Sequence, residues 1–196
     1  MKIYGDIRSG NCQKVRFAAD YLGVDYEWVA IDLIKGESRT PDFLALSPYG
    51  QAPVLQLDDG RAFAQSNAIL VFLAEGTPLL PADRALRAFV MEQLFWEQAI
   101  HHLGIAGCRR QMIRHGKSLD ERDPWRVEWG EQALDHLERQ LSEKAWLVGT
   151  DMTVADISLL AYTRLSHEGG FSLENRPAVR AWIKRCEEKL GLRALA

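Results

Sequence analysis

Two prolines and a glycine within nine residues, "EGTPLLPAD" at 75–83, divide the chain into halves whose apolar residues follow different periods. Before this break, short strand-like runs alternate with helical ones. "KIYG" (2–5) reads as a strand. Residues 11–22 carry Val15, Phe17, Ala18 and Leu22 at helical spacing, and "YEWVAI" (26–31) has the β-branched and aromatic character of a second strand. Thr40-Pro41 pairs a capping residue with a proline at the first helical position. "PVLQLDDGRAFA" (53–64) reads as a hairpin around Asp59-Gly60, and Ser66 is placed to cap the helix that follows. Strand, helix, strand, helix, hairpin, helix is the order of a thioredoxin-like α/β domain, with a right-handed parallel crossover and an antiparallel edge.

No strand pattern follows the break. Residues 84–115 form one long helical pattern. Asp123-Pro124 starts another helix, running to about residue 144. Thr153 stands three residues before Asp156, the spacing of a capping box, with Met152 and Ile157 placed as its hydrophobic staple. Pro177 opens a last helix through Trp182, Ile183 and Cys186. The expected domains are residues 1–78, thioredoxin-like, and 84–196, an all-α helical bundle.

Composition narrows the function classes. A formal net charge of −3 gives no reason to expect a nucleic-acid partner. The local basic group Arg109, Arg110, Arg114, His115 and Lys117 reads as a solvated helix end rather than a phosphate site. Three widely spaced cysteines, Cys12, Cys108 and Cys186, argue against a disulfide framework and fit a reducing cytoplasm. No basic region followed by an apolar stretch marks a signal peptide. The longest apolar run, "AILVFLA" at 68–74, is too short to span a bilayer, so no membrane association is expected. His101 and His102, with Cys108 and His115, match no standard zinc spacing, and no metal is expected.

Three places invite chemistry. Pro53 at a strand start removes a ladder donor, which fits an edge strand or a turn. Gln65-Ser66 sits at a helix start, where a serine caps and free N–H groups favour an anion. Ser9, Asn11 and Cys12 occupy a strand-to-helix junction. The first two either cap the helix or present donors to a ligand. Cys12 is either a thiol made reactive by the helix N-terminus or a small buried residue.

Four stretches in this order, "SGNCQKV" (9–15), "SPYGQAPVL" (47–55), "AQSNAIL" (64–70) and "GTDMTVADISL" (149–159), resemble the cytosolic glutathione transferases over essentially the whole chain. The likeness is to the bacterial, serine-type members similar to the theta and nu classes. It implies glutathione as co-substrate, a small apolar electrophile, and a symmetric homodimer in the cytoplasm. Ser9 matches the residue that hydrogen-bonds the glutathione sulfur, with Asn11 as a second donor or an organiser of the backbone. Ala52, where valine is more frequent, would exchange main-chain bonds with the cysteinyl residue ahead of a cis Pro53. Ser66, through hydroxyl and backbone N–H, would take the γ-glutamyl carboxylate and Gln65 the amine, with Glu97 a further carboxylate for it. Gln51 and Arg39, and more loosely Lys35, fall where the glycyl carboxylate binds. Tyr4, Arg8, Cys108 and Met112 would line the electrophile pocket, between the domains. Thr153 and Asp156 belong to the folding motif. The resemblance also admits glutathione-dependent disulfide reduction or peroxidase chemistry, or a non-catalytic binding module on the same scaffold.

Overall fold

The computed structural model describes residues 1–193 and separates into two compact units, Met1–Thr77 and Pro78–Ala196. The first holds strands β1 (Lys2–Gly5), β2 (Glu27–Ala30), β3 (Val54–Gln56) and β4 (Ala62–Ala64), and helices α1 (Gly10–Tyr21), α2 (Pro41–Leu46) and α3 (Ser66–Ala74). The sheet order is β2-β1-β3-β4. The β1–β2 pair is parallel across α1, and the β1–β3 and β3–β4 pairs are antiparallel. This is the expected thioredoxin-like order.

Alternation along β1 sorts the layers. Ile3 joins Val15 and Ala19 of α1, Leu55 of β3, and Ile69 and Leu73 of α3 in one buried cluster. Its neighbour Tyr4 turns to the other face, where its ring meets the edge of Phe43 on α2, centroids 6.5 Å apart. Thr40 caps α2 as its sequence suggests, its hydroxyl accepting from the Phe43 N–H at 3.4 Å.

The second unit is helical, with no strand among the described residues: α4 (Arg84–Trp96), α5 (Gly107–His115), α6 (Pro124–Glu143), α7 (Val154–Thr163) and α8 (Pro177–Leu190). Residues 84–115 do run as one helix. Its middle ten residues, Glu97–Ala106, however, wind as a π-helix, which a periodic pattern does not reveal. Tertiary contacts hold this segment. A Cβ on Gly104 would lie 2.5 Å from the Gly130 nitrogen on α6, so the two backbones touch. Arg126 of α6 donates to the Leu103 carbonyl at 2.8 Å. His101 Nε2 lies 2.8 Å from Thr163 Oγ1, whose own proton goes to the Leu159 carbonyl, so His101 is the donor there.

All ten residues of α7 are buried. Thr153 and Asp156 form the capping box, and Asp156 does more than cap. Its carboxylate accepts from the backbone N–H of Leu147 (3.0 Å) and of Thr153 (2.9 Å), from the Thr153 hydroxyl (3.2 Å), and from Trp182 Nε1 on α8 (2.9 Å). Asp123 at the start of α6 makes no side-chain cap, because its carboxylate is taken by Lys117 and Arg126. The basic residues at the end of α5 divide: Arg110, Arg114 and His115 are exposed, while Arg109 pairs with Glu168 at 2.5 Å.

Candidate functional site

The first unit concentrates its chemistry at the start of α1, the turn before β3 and the start of α3. Gly5 ends β1 in a space with no room for a side chain: a Cβ would sit 2.6 Å from Trp28 Cη2 and 3.2 Å from the Cys12 Cβ. The chain then turns through Asp6, which is 6% exposed. Asp6 accepts from Arg8 three times, through its backbone N–H (2.9 Å), Nε (2.9 Å) and Nη2 (2.7 Å), and from the Leu33 N–H (3.2 Å). Burial pushes the Asp6 carboxyl up, but these donors win and hold it below its ordinary value. Arg8 also bonds Asp32 at 2.9 Å. The hydrogen bonds it donates to both carboxylates raise its pKa. Arg8, expected at an electrophile pocket, is thus bound up in bracing the loop that delivers Ser9. The sequence reading missed Asp6, although an aspartate two residues before Arg8 has the spacing of an Asx turn.

Ser9 takes the position before the first turn of α1, with extended backbone (φ −85°, ψ 121°), and its hydroxyl makes no capping bond to the helix. Gly10, Asn11 and Cys12 form that first turn. Cys12 is fully buried, and burial raises its thiol to about 11 against the influence of the nearby Ser9 hydroxyl. At neutral pH it is a protonated packing residue.

The Ala52–Pro53 bond is cis. Both ladders of β3 stop at Val54, opposite Tyr4 on β1 and Ala64 on β4, so Ala52 has no strand partner on either side. The preceding turn is tied by the Ser47 hydroxyl to the Gln51 carbonyl at 3.1 Å and by Arg39 Nη1 to the Tyr49 carbonyl at 3.4 Å. Gly50 lies directly under the Arg39 guanidinium, with φ +59°, where a Cβ would come within 2.6 Å of Nη1.

Among the described residues, Gln65 is the one non-glycine residue with a positive φ, +78°. Such a conformation is costly for a residue with a Cβ and persists where surrounding contacts enforce it. Its side-chain amide donates to Gln51 Oε1 at 3.1 Å. Ser66, expected to cap α3, is instead its first residue, and its hydroxyl donates to Asn11 Oδ1 at 3.3 Å. Arg39, Gln51, Ala52, Pro53, Gln65, Ser66 and Asn11 are thereby linked through turns, the cis peptide and direct bonds within one unit. Lys35 stands apart, exposed and 3.9 Å from Asp32.

Tyr4 points its hydroxyl at Gln56 Oε1, 2.9 Å away. Cys108, expected to line a pocket, is fully buried in the second unit with Ile105, Ala106, Leu134, Tyr162 and Phe171, and burial raises its thiol pKa. The i, i+3 spacing from Ile105 places it on the core-facing side of the helix. Met112 is half-buried on α5, and Glu97 is fully buried at the start of the π segment. No group of three or more His, Cys, Asp or Glu residues suited to a metal occurs among the described residues, and no described helix is long and apolar enough to cross a membrane.

Comparison with known proteins identifies the family. Residues 8–75 match the family model for the glutathione S-transferase N-terminal domain, and residues 129–189 the one for the C-terminal domain. A protein of Pseudomonas aeruginosa named maleylacetoacetate isomerase is 31% identical over 92% of this chain and 88% of its own length. The crystal structure of a glutathione S-transferase from Pseudomonas fluorescens superposes with a TM-score of 0.91 at 42% identity, covering 95% of this chain and 94% of that one. A glutathione S-transferase from Xanthobacter autotrophicus does so with a TM-score of 0.90 at 41% identity, over 100% and 95% of the two chains. Matches to both domains, together with relatives aligned over nearly the full length, place this chain in the glutathione S-transferase family.

Proposed function

We propose that the protein is a glutathione transferase that joins the glutathione thiolate to a small apolar electrophile, with Ser9 and Asn11 as the sulfur's donors. The observation that carries this reading is the convergence, within one unit, of a Ser9 hydroxyl with no capping partner, the unpaired main chain of Ala52 beside a cis proline, and the strained Gln65–Ser66 helix start. Ala52 pairs with the cysteinyl residue as an added strand would. Gln65 and Ser66 hold the γ-glutamyl end at the positive end of α3. Gln51 and Arg39 hold the glycyl carboxylate. A free thiol has a pKa of about 8.5, and donors aimed at the sulfur lower it, so that the thiol proton leaves to solvent. The thiolate then attacks the electrophilic carbon. A C–S bond forms, and the leaving group departs with its electron pair. Tyr4 is the first-unit candidate for contact with the electrophile, while Arg8 braces the loop before Ser9. The proposed assembly is a homodimer, and exposed Phe89 and Phe95 on α4 are apolar surface available for it.

The likeness to a maleylacetoacetate isomerase favours a second reading, cis–trans isomerisation. The same thiolate would add to a conjugated double bond, allow rotation and leave again, consuming no glutathione. Whether glutathione is consumed separates the two readings.

The deciding experiment is calorimetric titration with reduced glutathione in two buffers of different ionisation heat. Binding with release of a proton is expected. Ser9→Ala should diminish the release more than the affinity and lower turnover about 100-fold, as for loss of one donor to a developing anion. Binding without release refutes thiol activation and favours a reductase or a binding module. No binding refutes the glutathione site.

A further inference from the structure

Ser9 closes a turn, Asp6–Ser9, in which every residue is tied. Its N–H donates to the Asp6 carbonyl at 2.9 Å, and its carbonyl accepts from the Gln13 N–H at 2.9 Å. The Gln13 side chain holds the Ile7 carbonyl at 3.0 Å. The buried Asp6 carboxylate takes the Arg8 N–H at 2.9 Å, and Nε and Nη2 of its guanidinium at 2.9 and 2.7 Å. The same Nη2 reaches Asp32 Oδ1, past the end of β2, at 2.9 Å. Asp32 is itself anchored. Its carboxylate accepts from the N–H groups of Ile34 (2.9 Å) and Lys35 (3.0 Å), and its own N–H donates to Glu37 at 2.7 Å. Arg8 therefore fastens the turn to a second, separately braced loop. The Ser9 hydroxyl makes no capping bond to α1, so the turn's main chain sets where its oxygen lies. A hydroxyl has one proton to give, and a hydrogen bond weakens steeply below about 120°. Misplacing a reacting group by about 1 Å costs on the order of 100-fold.

We propose that Asp6, Arg8 and Asp32 are positioning residues: the guanidinium clamped between two carboxylates holds the Ser9 hydroxyl on the glutathione sulfur. This rests on the reading of Ser9 as the sulfur's donor. The clamp supplies geometry and not charge. Two carboxylates around one guanidinium leave the group net negative, which by itself disfavours a thiolate. Arginine suits the place because its planar fork meets one carboxylate with two nitrogens; lysine carries the same charge without the fork.

The test is the pKa of the bound glutathione thiol, followed by thiolate absorbance at saturating glutathione, so that loss of affinity does not enter. The natural chain is compared with Ser9→Ala, Arg8→Lys, Asp32→Asn and the double variant Arg8→Lys/Ser9→Ala. Arg8→Lys should raise the bound-thiol pKa by about one unit, a tenfold loss of thiolate at a given pH above which the thiol ionises. Asp32→Asn should raise it by a smaller amount. Charge alone predicts no change in the first and a fall in the second, because a carboxylate is removed. The double variant should raise the pKa no further than Ser9→Ala, since the clamp acts through that hydroxyl. If Arg8→Lys does not fold, Asp32→Asn carries the comparison, because it leaves the Arg8 bonds to Asp6 in place. An unchanged pKa in Arg8→Lys, or a fall in Asp32→Asn, beside a raised one in Ser9→Ala overturns the clamp and leaves the Ser9 reading intact. A double variant whose shift is the sum of the two single ones overturns it as well. No shift in Ser9→Ala overturns the donor role of Ser9 and the clamp with it.

Discussion

Replacing Asp156 with alanine should destabilise the helical unit severely while leaving glutathione binding in the folded fraction nearly unchanged. The carboxylate is fully buried and accepts four hydrogen bonds, three of them from the N–H groups of Leu147, Thr153 and Trp182, in residues that are themselves at most 3% exposed. A buried donor left without a partner costs about 1–3 kcal/mol. Three such donors set the gross loss, and relief of a real cost offsets part of it. Burial, the strongest influence on Asp156, raises its pKa against the pull of the donors, so the ionised group is itself expensive to hold there. The expected net loss is about 3–5 kcal/mol, a fall of roughly 10 °C in Tm. The glutathione ligands proposed above lie in the other unit, so calorimetric affinity at a temperature well below the transition should change by less than about twofold, under 0.5 kcal/mol. Asp156→Asn, which keeps one acceptor oxygen, should fall between the two in thermal melts followed by circular dichroism. A Tm within a degree or two of the natural protein, combined with a large loss of affinity, would refute the reasoning, because it would make Asp156 a ligand-site residue and not the hub of a fold.

Three shorter predictions concern other groups. Cys12, Cys108 and Cys186 are free and buried, and burial raises all three thiols, Cys12 to about 11, so a thiol reagent should label them at neutral pH only as fast as the protein opens; rapid native labelling of Cys12 would contradict this. Asp6 has a pKa below its ordinary 3.8, so its contribution to stability is present above that value and is lost as pH falls through the native pKa. Asp6→Asn should therefore cost about 1–2 kcal/mol near neutral pH and little in strong acid, and a cost independent of pH in denaturant titrations would disprove the assignment. Gly104→Ala places a Cβ against the α6 backbone and should cost about 1–3 kcal/mol in thermal melts, where an alanine in an unobstructed helix would stabilise; no loss would mean that the helix crossing yields.

The sequence by itself determined the order of elements and the motifs with local logic. Thr40-Pro41, the Thr153–Asp156 box and the Pro177 helix start all depend on residues a few positions apart, so the chain announces them before it folds. Tertiary structure decided which way polar side chains point and what occupies them. Ser66 and Asp123 have the chemistry of caps, yet Asn11 takes the hydroxyl of one and Lys117 with Arg126 the carboxylate of the other. The resemblance sets Arg8 and Cys108 at an electrophile pocket, yet Asp6 and Asp32 bind Arg8, and Cys108 is buried core. The π winding of Glu97–Ala106 rests on the Gly104–Gly130 approach and on bonds to Arg126 and Thr163, all from elements distant in sequence. Backbone hydrogen bonding and hydrophobic period are local and survive reading in one dimension. A hydroxyl or carboxylate has only a few bonds to give, and which partner takes them is settled when distant segments meet.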